Sequence, residues 1–549
     1  MKLRPLAGLA ASAPLAERYR SQDPATLSLF GGRRLTEADS WTARASALDE
    51  TAANRADRSR LVTALRSYNR RLPAHENVER SLDRLASPES LVVVGGQQAG
   101  LFGGALLILY KALTVVQTAR FAEQMLGRPV VPVFWIAGED HDYDEANHLH
   151  VVSREGKLHR IRMERPEGPR RSVSRTPLAP EQWEAALAEL AGQLPETEFT
   201  GPLLERLRRH CEDAPSLSLA FARLVADWFG PDGLVLLDAD DPQLRAVEGP
   251  FFRRLIERND ELEAALRQGE EAVRELGLPV QAESAPGGAN LFLHHEQGRL
   301  LLFKQNGRFE SRRGEASLSR SELLALADTD PQMLSNNALT RPLMQEYVLP
   351  VLAAVLGPSE LAYWGTLGPA FALFGQTIPL LVPRQSFTYV EPTVAKWLDK
   401  YGVSPEDIML RYEEKKRGWL AAQDAWRLEE RFREVKDGFA ALYGPLLETL
   451  GSLQSGLAKL GETNRDKIFE QIAYLENRAT DAFAKQHEAG LRQWERMQTA
   501  LWPLDRPQER VLSSIHFLNK YGPTWLENWS RVPFDVNGGH RLAEPPSEF

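Results

Sequence analysis

Within seven consecutive residues, Glu139 to Glu145, the chain carries five carboxylates and one histidine: Glu139, Asp140, His141, Asp142, Asp144 and Glu145. Carboxylates this close perturb one another's pKa, so the cluster could supply an acid, a base or ligands to a metal. Glu139, Asp140, His141 and Asp142 are the catalytic candidates. His141 is the choice for proton transfer, because an imidazole with a pKa of about 6.5 can either deprotonate an attacking amine or protonate a leaving group. The flanking carboxylates are expected to orient the ring and raise that pKa. The plain alternative is an acidic loop in solvent. A second chemical stretch is GGQQAGLFGG, Gly95 to Gly104. Its glycines permit close ligand approach, and free amides at the start of the following helix attract anions. Gln97 and Gln98 add donors and acceptors, Gly100 belongs to the turn, and Lys111 falls about two turns into that helix. All four are substrate-binding candidates. The same glycines also suit the simpler purpose of packing a helix on a sheet. The spacing is neither GxGxxG nor GxxxxGK[ST], so no dinucleotide or P-loop assignment follows.

Both stretches end short apolar runs. LVVV at Leu91 to Val94 and VVPVFWIAG from Val130 read as strands buried on both faces, and ALLILYKALTVVQTARFAEQML reads as a covered helix. Ligands in open α/β sheets bind just beyond the carboxyl ends of the strands, where both loops would fall. GLVLLDADD repeats the pattern, so Asp238, Asp240 and Asp241 either join the cleft edge or cap the helix that follows. In LTRPLMQEYVLPVLAAVLGPSELAYW, Arg341 could clamp a carboxylate at two points, while Glu360, Tyr363 and Trp364 could hold an amine and an apolar edge. The alternatives are that Arg341 only pairs with Glu346 and that Trp364 only fills core. IPLLVPRQSFTYV reads as one more strand.

Other segments dress this core. The first ninety residues are mostly polar helix, and HLHVVSREGKLHRIRM is extended with a turn at Glu155-Gly156. His148 and His150 share a strand face and raise a metal reading with His141. No HExxH is present, and no metal site is assigned. Between Pro279 and Arg313 short β segments and turns at Gly287-Gly288, Gln297-Gly298 and Asn306-Gly307 predict a small antiparallel insert, with His294 and His295 exposed on its strands. From Val394 to Ala500 leucines recur at spacings of three and four, predicting two antiparallel helices joined near Gly461. TNRD at Thr463 to Asp466 suits a helix start, and Gly444-Pro445 should kink or restart the first arm. Such a hairpin exceeds what the core needs and is expected to be a partner surface. In the last segment Arg510, His516, Asn519 and Lys520 offer polar groups to a phosphate or nucleotide, or else form a basic helix end favoured by its dipole.

Composition bounds the function. With 549 residues, 43% hydrophobic, and a net charge of −9, the chain has material for more than one core and no nucleic-acid bias. The single cysteine, Cys211, excludes an intramolecular disulfide and any cysteine-cluster metal site and fits a reducing, cytoplasmic setting. The start, MKLRPLAGLAASAPLAERY, has a weak signal-peptide look that its prolines argue against. No apolar run reaches about eighteen residues, so no membrane span is expected.

Together GQQAGLFGG and VPVFWIAGEDHDYDE, with GLVLLDADDPQLR, NALTRPLMQEYVLPVLAAVLGPSELAYW and ERVLSSIHFLNKYGP, resemble the cysteine-adding enzymes, or cysteine ligases, of bacillithiol biosynthesis. The resemblance spans nearly the whole chain. It implies an α/β fold: a Rossmann-like nucleotidyltransferase-type core with connective-peptide insertions and a long antiparallel coiled-coil arm that forms a homodimer. Residues 1–153, 216–278, 331–393 and 501–549 would build the core, 154–215 a helical insert, 279–330 the β insert and 394–500 the arm. It further implies amide-bond formation between cysteine and glucosaminyl-malate, activated by ATP or another nucleotide. The chain has no HxGH or KMSK-type pair, and it departs from the family pattern at Gly103-Gly104, where Thr-Pro is usual, and at Asn336, where proline is usual. Two other classes compete, a metal-dependent hydrolase built on the acidic and histidine cluster and a non-catalytic coiled-coil scaffold. A tightly bound metal would mark the hydrolase. Indifference to changes at Gln97 or His141 would mark the scaffold.

Overall fold

The computed structural model describes residues 1–6 and 13–544. Ala7–Ser12, inside the alanine-rich start, and the last five positions of the C-terminal core segment lie outside the described residues. The chain divides into two compact units, Met1–Tyr389 with Arg506–Pro546, and Val390–Asp505.

The first unit is built on a five-stranded parallel sheet. Its strands stand in the order Val235–Asp238, Val130–Ile136, Leu91–Gln97, Val351–Leu356 and Leu380–Pro383. Numbered along the chain this is 3-2-1-4-5, the doubly wound Rossmann order, which reverses between Leu91–Gln97 and Val351–Leu356. The apolar runs are buried on both faces, as parallel strands covered by helices must be. The helix Leu106–Leu126 lies against the first two strands. Its approach depends on Gly95, since a Cβ there would stand 2.6 Å from Val115 Cγ2. The Gly103-Gly104 turn has φ of +89° and +63°, a path that proline cannot follow.

Three further sheets accompany this one. The insert is antiparallel, with Ser317–Ser319, Arg308–Ser311, Gly298–Gln305, Gly288–His295 and Leu334–Asn336 as successive neighbours. Leu334–Asn336 pairs with Leu291–Leu293, so the insert's last strand leads directly into the Arg341–Val348 helix. His294 is buried in this sheet and not exposed as its strand pattern suggested, because the face it occupies packs toward Asp240. IPLLVPRQSFTYV forms two strands, not one. Leu380–Pro383 closes the central sheet, and after Arg384 the chain turns into Gln385–Tyr389, which pairs with Gly539–Glu544 beside Lys2–Pro5. His148–Val152 and Leu158–Arg162 form the expected hairpin.

The second unit is helical. At one end Trp494 is buried among the rings of Tyr401, Tyr412 and Trp419. At the other, Leu428–Leu453 and Ser455–Gln486 run antiparallel, with Lys436 paired to Glu476 and Tyr443 bonded to Asn464. The reversal is at Gln454, where a single extended residue separates the two helices, and not near Gly461. Gly461 lies inside the second helix, where a Cβ would collide with the Leu447 side chain, so its smallness serves packing. Thr463 to Asp466 is likewise helix interior, and Pro445 rides within the first helix, losing one helical hydrogen bond without restarting it. No helix among the described residues is long and apolar enough to cross a membrane.

Candidate active site

A cleft of about 540 Å³ opens beyond the carboxyl ends of the central strands, where the strand order reverses. Its cations are held differently. Lys111 is buried and donates to the Gly96 carbonyl at 2.6 Å and to Gln97 Oε1 at 3.0 Å, and it pairs with Glu360. Burial pulls the Lys111 pKa down while Glu360 opposes the shift. Glu360 also accepts the Gly357 N–H at 2.8 Å, which anchors it at the start of the Pro358–Trp364 helix. Arg384 is clamped by Glu509 through contacts of 2.6 and 2.9 Å. Arg341 instead donates to two neutral groups, Gln345 Oε1 at 3.0 Å and Tyr363 Oη at 3.2 Å, and among the described residues no carboxylate pairs with it. A guanidinium in this state favours a planar anion as its partner.

The acidic loop is fixed from below. At Gly138 a Cβ would collide with Ser174 Oγ and Asp238 Oδ1, so only glycine lets the 172–175 segment close on the loop. Val173 N–H donates to the Asp140 carbonyl at 2.7 Å and Ser174 N–H to that of Gly138 at 3.0 Å. Asp238 accepts the Ser174 hydroxyl at 2.6 Å, and burial together with Asp240 pushes its pKa up to about 7. Asp240 is held by Ser172 at 2.6 Å and by Arg175 at 2.9 Å. Glu139 is buried, pairs with Arg245 and accepts the Asn336 N–H at 3.1 Å. His141, half buried, places Nδ1 3.2 Å from the Arg299 guanidinium and 3.4 Å from Asp140 Oδ1. Arg299 lies 3.7 Å over the Phe292 ring and donates to Ser335 Oγ at 2.9 Å and the Asn336 carbonyl at 2.5 Å.

An adjoining chamber of about 260 Å³ shares Gln97, Gln98, Glu145 and Arg510 with the main cleft. Gln98 Oε1 accepts the Ala99 N–H at 2.8 Å, whereas its buried Nε2 has no partner among the described residues. His148 and His150 close the far side with ring centroids 5.5 Å apart, and burial, then the neighbouring His148, lowers the His150 pKa to about 4. Burial, then Asp140 and Asp142, raises the pKa of Glu145.

Residues 1–385 match the family described as bacillithiol biosynthesis BshC, N-terminal Rossmann-like domain, and residues 387–544 match its C-terminal coiled-coil domain. The chain belongs to the BshC family. A Bacillus licheniformis relative named "Putative cysteine ligase BshC" is 34% identical over 534 residues, covering 96% of this chain and 98% of the relative. A Geobacillus sp. (strain WCH70) relative of the same name is 38% identical over 499 residues, 90% of this chain and 92% of its own length. One from Shouchella clausii, again so named, is 38% identical over 466 residues, 85% of this chain and 86% of that one.

In this BshC chain, Glu139, Asp140, His141, Gln97, Gln98, Lys111, Arg341, Glu360, Tyr363 and Arg510 all line the main cleft, and Gly100 lines the second chamber. Other expectations fail on geometry. Asp142 is exposed and caps the short Tyr143–Ala146 helix, accepting the Glu145 N–H at 3.3 Å. Trp364 is fully buried against Phe371, because its helix turns Tyr363 toward the cleft and the next side chain toward the core. Asn519 is buried and tied to Thr200 and the Pro195 carbonyl, His516 is buried in the same Ser514–Tyr521 helix, and Lys520 is exposed. None of these three lines either chamber. The Arg341–Glu346 alternative also fails, since Glu346 is buried between Arg44 at 2.7 Å and Arg55 at 3.0 Å. The His141 pKa is lowered, not raised, because burial and then the Arg299 cation outweigh the two carboxylates. Asp241 caps the Pro242–Glu257 helix. Among the described residues no three His, Cys, Asp or Glu side chains converge as a metal site. Sequence reasoning missed Phe292, Arg299 and Arg384, and it marked Asn336 only as a departure from the family pattern and not as part of the site. Asn336 could have been found from its place just before the LTRP stretch; Arg299 carried no local signal.

Proposed function

We propose that this two-chamber cleft joins the carboxyl group of cysteine to the amine of glucosaminyl-malate, the ligase step to which the relatives' name and the family's pathway point. The observation that carries the reading is Arg341, a cation in the cleft whose hydrogen-bond partners among the described residues are both neutral. A malate carboxylate meets it as a planar two-point acceptor. Gln97 and Gln98 then stand between the two chambers, placed to bridge two substrates, and His141 lies on the wall where the reacting carboxyl and amine would meet.

A free carboxylate is a poor electrophile, so ATP or another nucleotide is part of the proposal. Phosphates would suit the second chamber, where Arg506 and Arg510 are exposed cations and the buried Gln98 Nε2 has no acceptor among the described residues. Bound there, a nucleotide would supply the group transfer that activates the carboxyl. The rigid Lys111–Glu360 pair keeps the intervening floor in one geometry, which lowers the reorganisation needed when charge develops. The single cysteine supports a cytoplasmic, reducing setting. The test is bacillithiol formation from cysteine, glucosaminyl-malate and ATP, with AMP and ADP followed separately in wild type, His141→Ala and Arg341→Ala. AMP release marks adenylation and ADP release marks phosphorylation of the carboxyl. Full turnover by both variants, with the fold intact, would remove the assignment.

A further inference from the structure

The neutral form of an imidazole has one nitrogen that donates and one that accepts, and the partner of one decides the other. At His141 that partner comes from the antiparallel insert. Arg299 reaches Nδ1 at 3.2 Å, and a guanidinium can only donate. Asp140 offers the competing contact, 3.4 Å from the same nitrogen, but its Oδ1 already accepts the His141 backbone N–H at 2.7 Å and faces Arg299 at 3.4 Å. A proton on Nδ1 would confront the Arg299 N–H, donor against donor. Arg299 cannot swing away easily, because Ser335 Oγ and the Asn336 carbonyl hold its other nitrogens and Phe292 lies beneath it.

We propose that Arg299 is a positioning residue that fixes His141 as a neutral imidazole with its proton on Nε2, so that His141 serves as a hydrogen-bond donor to the oxyanion formed at the carboxyl carbon and not as a base. The role at the oxyanion rests on the ligase reading; the tautomer does not. With Nδ1 occupied by Arg299 and Nε2 carrying hydrogen, the ring neither takes nor gives a proton: the amine nitrogen bonds to the activated carboxyl carbon, the bond from that carbon to the phosphate oxygen breaks, and the proton that the amine loses leaves with the phosphate. The charged groups acting on the ring are Asp140 and Asp142 from its own loop, Arg299 from the insert and Arg170 from the segment that follows the hairpin. Burial and the two arginines outweigh the carboxylates and keep the imidazole uncharged at neutral pH.

The decisive measurement is ¹⁵N NMR of the full chain labelled at histidine, with His141→Gln assigning the resonance. At pH 7 a protonated Nε2 beside an unprotonated Nδ1 is expected; protonation at Nδ1, or at both nitrogens, would overturn the proposal whatever the ligase assay gives. Arg299→Met should raise the His141 pKa and mix the tautomers, and an unchanged spectrum in a folded variant would remove Arg299 from the role. Should that variant not fold, the wild-type spectrum still decides. In turnover, His141→Ala should lose about 10²- to 10³-fold, the usual effect of removing one oxyanion donor. His141→Gln, whose amide can donate from a similar place, should recover at least tenfold of that loss, and equal inactivity of the two variants would count against a donor.

Discussion

The two units place their awkward groups in opposite ways. In the Rossmann-like unit, charges are buried and each meets a partner: Glu346 lies between Arg44 and Arg55, Arg384 against Glu509, and Arg245 between Glu139 and Glu248. In the arm of the helical unit large apolar side chains are exposed, with Leu442 at 81%, Leu453 at 78% and Leu460 at 66% of full accessibility. The Leu428–Leu453 helix has no buried residue along its length. Buried ion pairs specify one geometry at the risk of a large penalty when half is removed, whereas an exposed leucine stripe specifies little until something covers it. The residues that line the two chambers belong to the Rossmann-like unit. We propose that a second copy of the chain covers the arm.

The largest effect should follow from breaking a buried pair. Glu346→Ala leaves two arginines without their carboxylate and should cost about 3 to 5 kcal/mol in denaturant unfolding. A loss below about 1 kcal/mol would mean that water replaces the carboxylate and that the unit is less closed than its burial implies.

The Arg384–Glu509 pair gives the contrast a pH signature. Burial alone would raise the Glu509 pKa, but Arg384 outweighs it and holds the carboxyl down at about 2. The folded value lies below the ordinary one, so the unfolded chain binds this proton more readily. The stabilisation is therefore complete above about pH 4.5 and is lost as pH falls toward 2, with a full amplitude of roughly 3 kcal/mol. Glu509→Gln should flatten that part of the acid limb in unfolding measured from pH 5 to 3, and an unchanged slope would assign acid sensitivity elsewhere.

Within the site the expected change is kinetic. Arg341→Ala should lower kcat/KM about 30- to 100-fold, equivalent to roughly 2 to 3 kcal/mol, while Arg341→Lys recovers only part because a lysine cannot present the planar fork. The melting temperature should move little, since the side chain's protein partners are neutral; a large fall in stability would recast Arg341 as structural.

How far the cleft could be read from sequence follows from how far apart its parts lie in the chain. Gln97, Lys111, Glu139 and His141 stand at the ends of buried strands or on the next helix, so local apolar runs located them. Arg299 reaches His141 across 158 residues through an insert that looked independent, and nothing local marks that contact. Trp364 and Tyr363 are neighbours on one short helix and differ only in which side of it they occupy, a choice made by tertiary packing. On the Ser514–Tyr521 helix the spacing of the polar residues fits a ligand face and a basic helix end equally, and tertiary packing decides: Asn519 spends its amide on Thr200 and Pro195. In the arm the leucine spacing located both helices, but the reversal falls on the unremarkable Gln454, because one extended residue suffices to turn the chain and Gly461 is used for packing against Leu447.

The smallest stability effects belong to the arm, and they separate an arm waiting for a partner from one complete by itself. Lys436 and Glu476 pair across the hairpin with their side chains only partly shielded. Lys436→Ala should therefore cost no more than about 0.2 to 1 kcal/mol, several times less than Glu346→Ala. Leu442→Glu with Leu453→Glu should likewise leave the unfolding of a monomer almost unchanged, because side chains this exposed lose little when made polar. Their effect should appear in mass: light scattering at micromolar concentration should give a dimer for the full chain and a monomer for the double variant. Removing residues 405–498 and bridging the ends should give a soluble monomer that still binds substrate. A monomeric full-length protein would leave the leucine stripe without the occupant proposed for it, and the contrast between a closed core and an open arm would then rest on packing alone.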